Sequence, residues 1–98
     1  MLTIAILAID NCIHSTVTGS FDIFSIASTH PPDKNRHGAL FCNASIVLPG
    51  TSPIRTFNGI EITGHHNLHE DRHYDIIILP ALIGDIAPLL EQQDIINW

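Results

Sequence analysis

Basic residues are scarce: Lys and Arg together number 4 in 98 residues, against 10 Asp and Glu, for a formal net charge of −6. So few cations cannot track a phosphate backbone, which excludes direct nucleic-acid binding as the task of this segment. The same acidic balance repels anionic membranes. Long apolar runs are missing as well. Residues 2–9 form an apolar run far short of the roughly 20 residues that span a bilayer. The opening segment also lacks the basic leader and small-residue cleavage site of a signal peptide. The 2 cysteines, Cys12 and Cys42, show neither CxxC nor disulfide-framework spacing. A reduced, cytoplasmic setting is therefore expected, with no membrane partner. Charged residues make up only 14% of the chain and hydrophobic ones 45%, a core-rich composition far from the disordered class.

What is present is an alternation of buried-strand and helix patterns. Residues 2–9 (LTIAILAI) are apolar on both faces and stop at Asp10–Asn11, as a strand of a parallel sheet does. Residues 15–29 predict an amphipathic helix. Val17, Phe21, Phe24 and Ser28 share its core stripe, Ile23, Ile26 and Ala27 widen it, and Ser15 or Thr16 caps it. Pro31–Pro32 ends it. A polar loop over 31–38 leads to a second strand, 40–48, closed by Pro49–Gly50.

Residues 54–57 and 60–63 flank Asn58–Gly59, a hairpin signal because both turn residues tolerate positive φ. Residues 65–72 read as a polar loop or short helical turn. Residues 74–79 (YDIIIL) predict a further buried strand, ended by Pro80. Asp85 then caps a second helix, and Asp94 a last helical turn. Ile95, Ile96 and Trp98 leave an apolar face that needs something to pack against, and in a bare fragment it would drive self-association. The order strand, helix, strand, hairpin, strand, helix argues for an α/β fold with a mostly parallel sheet and right-handed crossovers.

Four stretches carry a resemblance. They are Thr3-Ile4-Ala5-Ile6-Leu7 leading to Asp10; Gly19-Ser20-Phe21-Asp22-Ile23-Phe24 with Ala27; Ile54-Arg55-Thr56 with Asn58-Gly59-Ile60; and Tyr74-Asp75-Ile76-Ile77-Ile78-Leu79-Pro80 followed by Gly84-Asp85. In order and spacing the chain resembles the N-terminal half of the PfpI-like, class I glutamine-amidotransferase-like domain, and within that group the GlxA-type members of the AraC regulator family. The resemblance implies a flavodoxin-like three-layer α/β/α domain, incomplete here. Residues 1–98 would form a single partial domain, with the DNA-binding module outside this chain. It further implies an N-terminal sensing and dimerisation domain of a transcriptional regulator. Its partners would be a second copy, a small-molecule effector, and DNA only through a C-terminal module. The alternative is a PfpI-like cysteine hydrolase or isocyanide hydratase-like enzyme.

Enzymes of that group place a cysteine on a strained elbow, an acid on the first helix and glycine-rich backbone after the strand that reaches the site. Here the elbow is absent, the acid position matches Thr16, and Ala81 and Leu82 stand where glycines are expected. These departures argue against catalysis. Cys12 follows the first strand at its carboxyl end, where open α/β sheets bind ligands; it reads either as a pocket-lining residue or, more plainly, as a small buried hydrophobe. Cys42 reads as the latter. His65, His66, His69 and His73 follow one another closely; on a helix His65, His69 and His73 would share one face, and His69 with His73 would have two-ligand metal spacing, but a solvated loop is the plainer reading. No metal or cofactor is expected. Asp10, Asn11 and Cys12 are the expected ligand contacts, with Asp22, Ala81 and Leu82 as further lining residues.

Overall fold

The computed structural model describes residues 2–29, 42–84, 95 and 98. Strand β1 (Leu2–Leu7) runs into helix α1 (His14–Thr29), and β2 (Cys42–Leu48) follows. A small hairpin, β3 (Ile54–Arg55) and β4 (Glu61–Ile62), precedes two short strands, β5 (His66–Asn67) and β6 (Ile76–Ile78). The main sheet has the order β5-β2-β1-β6, and every described pairing in it is parallel.

The centre of the sheet is β1, as its apolar character on both faces requires. Ile4, Ala5, Ile6, Leu7, Ala8 and Ile9 are all buried. It pairs with β2 in the register Ile4↔Ala44 and Ile6↔Ile46, and with β6 in the register Ile4↔Ile76 and Ile6↔Ile78. Asp75 pins the entry of this sheet: one of its carboxylate oxygens accepts both the Thr3 N–H at 2.8 Å and the Thr3 hydroxyl at 2.9 Å. Those two donors hold the Asp75 carboxyl below the ordinary range for aspartate, helped by His73.

Helix α1 lies against the sheet through Val17, Phe21 and Phe24, and the Ser28 hydroxyl donates to the Cys42 carbonyl. The core stripe is narrower than the sequence pattern predicts, for Ile23 is 67% exposed and Ile26 60%. At about 100° per residue, each lies roughly 200° round the helix from Phe21 or Phe24, on the opposite side. The helix also starts a residue earlier than expected, so neither Ser15 nor Thr16 caps it. The Thr16 hydroxyl instead bonds back to the Ile13 carbonyl at 2.6 Å.

Further differences have simple causes. The strand predicted over 74–79 is shorter and is not buried: Ile76 and Ile77 point to opposite faces yet are 42% and 44% exposed. It has β1 on one side, and no other described strand pairs with it. The Asn58–Gly59 hairpin exists, but only Gly59 has positive φ, at 87°. Gly59 N–H donates to the Thr56 carbonyl and Thr56 N–H to that of Ile60, the three-residue loop form rather than the two-residue one. The polar stretch after Thr63 contains a strand, β5, docked on β2 through Val47↔His66 and Leu48↔Asn67. Ile95 and Trp98 are half-buried against the core rather than presented outward, with Trp98 edge-on to Tyr74 at 5.9 Å. The polar loop over 31–38, the helix expected from Asp85, the Asp94 cap and Ile96 lie outside the described residues.

Candidate functional site

Three loops meet beyond the carboxyl ends of β1 and β6. The first is the turn from β1 into α1. Cys12 N–H closes on the Ile9 carbonyl at 3.3 Å, and Asn11, the third residue of this turn, has φ 69°. That position calls for a left-handed residue, which asparagine tolerates better than other side chains. The second loop is the β3–β4 hairpin. Arg55 N–H donates to the Asp10 carboxylate at 3.0 Å, Asn11 N–H to the Arg55 carbonyl at 3.0 Å, and Phe57 N–H to the Cys12 carbonyl at 3.1 Å. The third loop follows β6. Ile13 N–H donates to the Ala81 carbonyl at 2.8 Å and Ile83 N–H to the Asn11 carbonyl at 3.3 Å, with an antiparallel bridge between Cys12 and Leu82.

The turn is thus clamped from both sides, and Cys12 lies fully buried at its centre. Burial pushes the Cys12 thiol up, and the Asp10 carboxylate adds to this, against backbone hydrogen bonds that pull it down. A thiol so held is protonated at neutral pH and is a poor nucleophile. Cys42 is buried too. Thr16 adds a further lock. Its hydroxyl donates to the Ile13 carbonyl and accepts the Ala81 N–H at 3.2 Å. The backbone donor after β6 is therefore engaged inside the protein rather than aimed at a reacting oxygen.

Beside this clamp lies an open cleft of about 470 Å³, lined by Asp10, Asn11, Arg55, Thr56, Phe57 and Gly59. The volume falls in the range of small-molecule sites. Arg55 pairs with Glu61 across the hairpin at 3.5 Å, both side chains well exposed. Thr56 is buried, its hydroxyl donating to Asn58 and accepting the Ile60 N–H. Phe57 keeps 46% of its surface exposed.

Of the residues singled out from sequence, Asp10, Asn11, Cys12, Ala81 and Leu82 are brought together by these loops. Asp10 and Asn11 line the cleft, Cys12 lies beneath the turn, and Ala81 and Leu82 brace its far side. Asp22 does not join them; it is exposed on α1, 8 residues on from His14, or about 12 Å along the helix. Sequence reasoning missed Phe57, Thr56 and Gly59. The Asn–Gly hairpin was the available signal, since a hairpin following a parallel strand tends to lie over the strand ends.

The histidines are used singly. His65 packs against Phe21, the rings tilted and their centroids 5.1 Å apart, and its Nδ1 accepts the Ile46 N–H at 3.0 Å. His66 meets Glu70 at 3.3 Å and His73 meets Asp75 at 3.4 Å, while His69 N–H caps onto the Asn67 side chain. Among the described residues no group of three His, Cys, Asp or Glu side chains is placed to hold a metal. Nor is any described helix long and apolar enough to cross a membrane.

The arrangement is a flavodoxin-like α/β fold, with a mostly parallel sheet and its candidate site at the strand ends. It is similar to a proposed transcriptional regulator protein from Vibrio parahaemolyticus, with TM-score 0.59 and 19% identity over 96% of this chain and 44% of that one. It is also similar to a DJ-1 superfamily protein from Agrobacterium tumefaciens, with TM-score 0.54 and 13% identity over 99% of this chain and 50% of that one. The chain spans about half the length of these solved structures. At such identities the likeness is one of fold. No family model and no curated protein matches the chain.

Proposed function

We propose that this chain is the sensing and dimerisation part of an AraC-type transcriptional regulator, without catalytic activity, which binds a small molecule at the carboxyl ends of its strands. The observation that carries the reading is the pairing of a locked cysteine turn with an open cleft. Thr16 holds the Ala81 N–H and Cys12 is buried as a neutral thiol, so this backbone donor and this thiol hold the loops together rather than serve acyl transfer. The adjoining cleft is open and of ligand size. The fold likeness to a proposed transcriptional regulator supports the same direction. In this reading two copies present paired DNA-binding modules to paired half-sites, the usual geometry of dimeric regulators.

A second reading, a PfpI-like cysteine hydrolase or isocyanide hydratase-like lyase, draws on the likeness to a DJ-1 superfamily protein. It needs a nucleophile that neither Cys12 nor Cys42 supplies. Thiol labelling of the complete gene product across pH separates the two. The regulator reading expects no cysteine that reacts as a thiolate below pH 7; one that does, together with turnover of an ester, amide or isocyanide, overturns it.

A further inference from the structure

We infer that the 470 Å³ cleft takes a small organic ammonium ion bearing an apolar group, with its charge on Asp10 and its hydrocarbon on Phe57; this rests on the ligand-sensing reading above.

The cleft withholds what an anion needs. An anion site in a loop cluster is built from free backbone N–H groups. Here those of Asn11, Arg55, Thr56, Phe57 and Gly59 are all donated within the protein, to Arg55, Asp10, Ile60, Cys12 and Thr56 respectively. Among the described lining residues the one cation is Arg55, which faces the Glu61 carboxylate at 3.5 Å, so the pair is close to neutral. The Thr56 hydroxyl is engaged with Asn58 and Ile60.

What remains is acceptor and π surface. Asp10 gives one carboxylate oxygen to the Arg55 N–H, and among the described residues its other oxygen has no partner. Asn11 is exposed beside it, its backbone held by Arg55 and Ile83. Phe57 offers an exposed ring, anchored by its own N–H on Cys12. A carboxylate and an exposed aromatic ring lining the same cleft suit a cation: the first as a charge-assisted acceptor, the second through its ring quadrupole. The chain's net charge of −6 draws cations and opposes anions.

The test uses the full chain and three size-matched probes: 2-phenylethylammonium, 3-phenylpropionate and 2-phenylethanol. Each is titrated while the backbone amide resonances are followed by NMR. The ammonium is expected to shift the Asp10, Asn11 and Phe57 amides, and the anion and alcohol to leave them in place. Asp10→Asn keeps an oxygen for the Arg55 N–H, so the loop stays folded while the charge is lost; binding is expected to weaken about tenfold. Phe57→Leu keeps the apolar bulk and removes the π face, and is expected to weaken it about threefold. Binding of the ammonium that neither variant weakens overturns the assignment. If the anion or alcohol shifts those amides more strongly than the ammonium, the amine assignment falls while the ligand-sensing reading stands. If none of the probes shifts them, the amine assignment falls, and the ligand-sensing reading is judged separately by the DNA-binding titration of the complete gene product.

Discussion

Gly64 offers the sharpest test of how the second half of the sheet is seated. It lies between β4 and β5, where the chain crosses the end of β2. A Cβ added at Gly64 would stand 2.8 Å from the Ile46 carbonyl oxygen and 2.9 Å from the Leu48 side chain. The Ile46 carbonyl cannot withdraw, because it accepts the His65 N–H at 2.8 Å and belongs to a strand paired with β1. Gly64→Ala must therefore push β2 and the β5 segment apart. Overpacking of this kind costs about 1–3 kcal/mol. The lower backbone freedom of alanine in the unfolded chain gives back about 0.4–1 kcal/mol. The net expectation is a loss of about 1–2 kcal/mol, read as a lower urea midpoint with an unchanged m-value. Gly50→Ala is the control: nothing lies within 4 Å of its added Cβ, so it should be neutral or slightly stabilising. If Gly64→Ala unfolds at the same urea concentration as Gly50→Ala, the close seating of β5 on β2 is wrong.

Thr16→Val removes the hydroxyl that joins Ile13 to Ala81 while keeping the side chain's shape. A loss of about 1–2 kcal/mol is expected from two hydrogen bonds, with faster hydrogen exchange at the Ala81 amide, and Thr16→Ser should restore both. Gly19→Ala on α1 meets nothing within 4 Å and should stabilise by about 0.5–1 kcal/mol in thermal or urea unfolding. The Asp75 carboxyl is held low by Thr3. Its contribution is therefore present above the unfolded-chain aspartate pKa of about 3.9 and is lost as pH falls toward and through its lower folded value. Urea midpoints measured from pH 6 down to pH 2 should fall less steeply for Asp75→Asn than for the native chain.

Much of the fold was legible because burial leaves a periodic trace. Residues 2–9 are apolar on both faces, and only a central parallel strand accommodates that. Asn58–Gly59 announced its hairpin, but the Thr56 hydroxyl, which bridges Asn58 and Ile60, lengthens the turn; a single side chain bonding its own loop leaves no repeating pattern. Strand β5 was illegible for a related reason. Its His66 and Asn67 carry no strand preference, and they are held by pairing with β2 and by the neighbouring contact of His65 with Ile46. Ile23 and Ile26 misled through their apolar character alone, for helical spacing puts each about 200° round from Phe21 or Phe24, on the exposed side.

The site was legible in part. The Asp10–Asn11–Cys12 turn follows from a strand ending where α/β sheets gather their ligands. The role of Thr16 is a tertiary fact. Its hydroxyl reaches Ala81, 65 positions away, which no local pattern encodes. The same holds for Phe57, which reaches the cleft because the hairpin folds back onto the Cys12 carbonyl.

The central claim, a sensing role rather than catalysis, is tested most directly by a gel-shift titration of the complete gene product on its own promoter. The titration is run with and without the small molecule that perturbs the Asp10 and Phe57 amides. The account predicts a sequence-specific complex with paired half-sites, its affinity moved about fivefold or more by that molecule. A protein that forms no such complex, and instead turns over a substrate through a reactive cysteine, would contradict it.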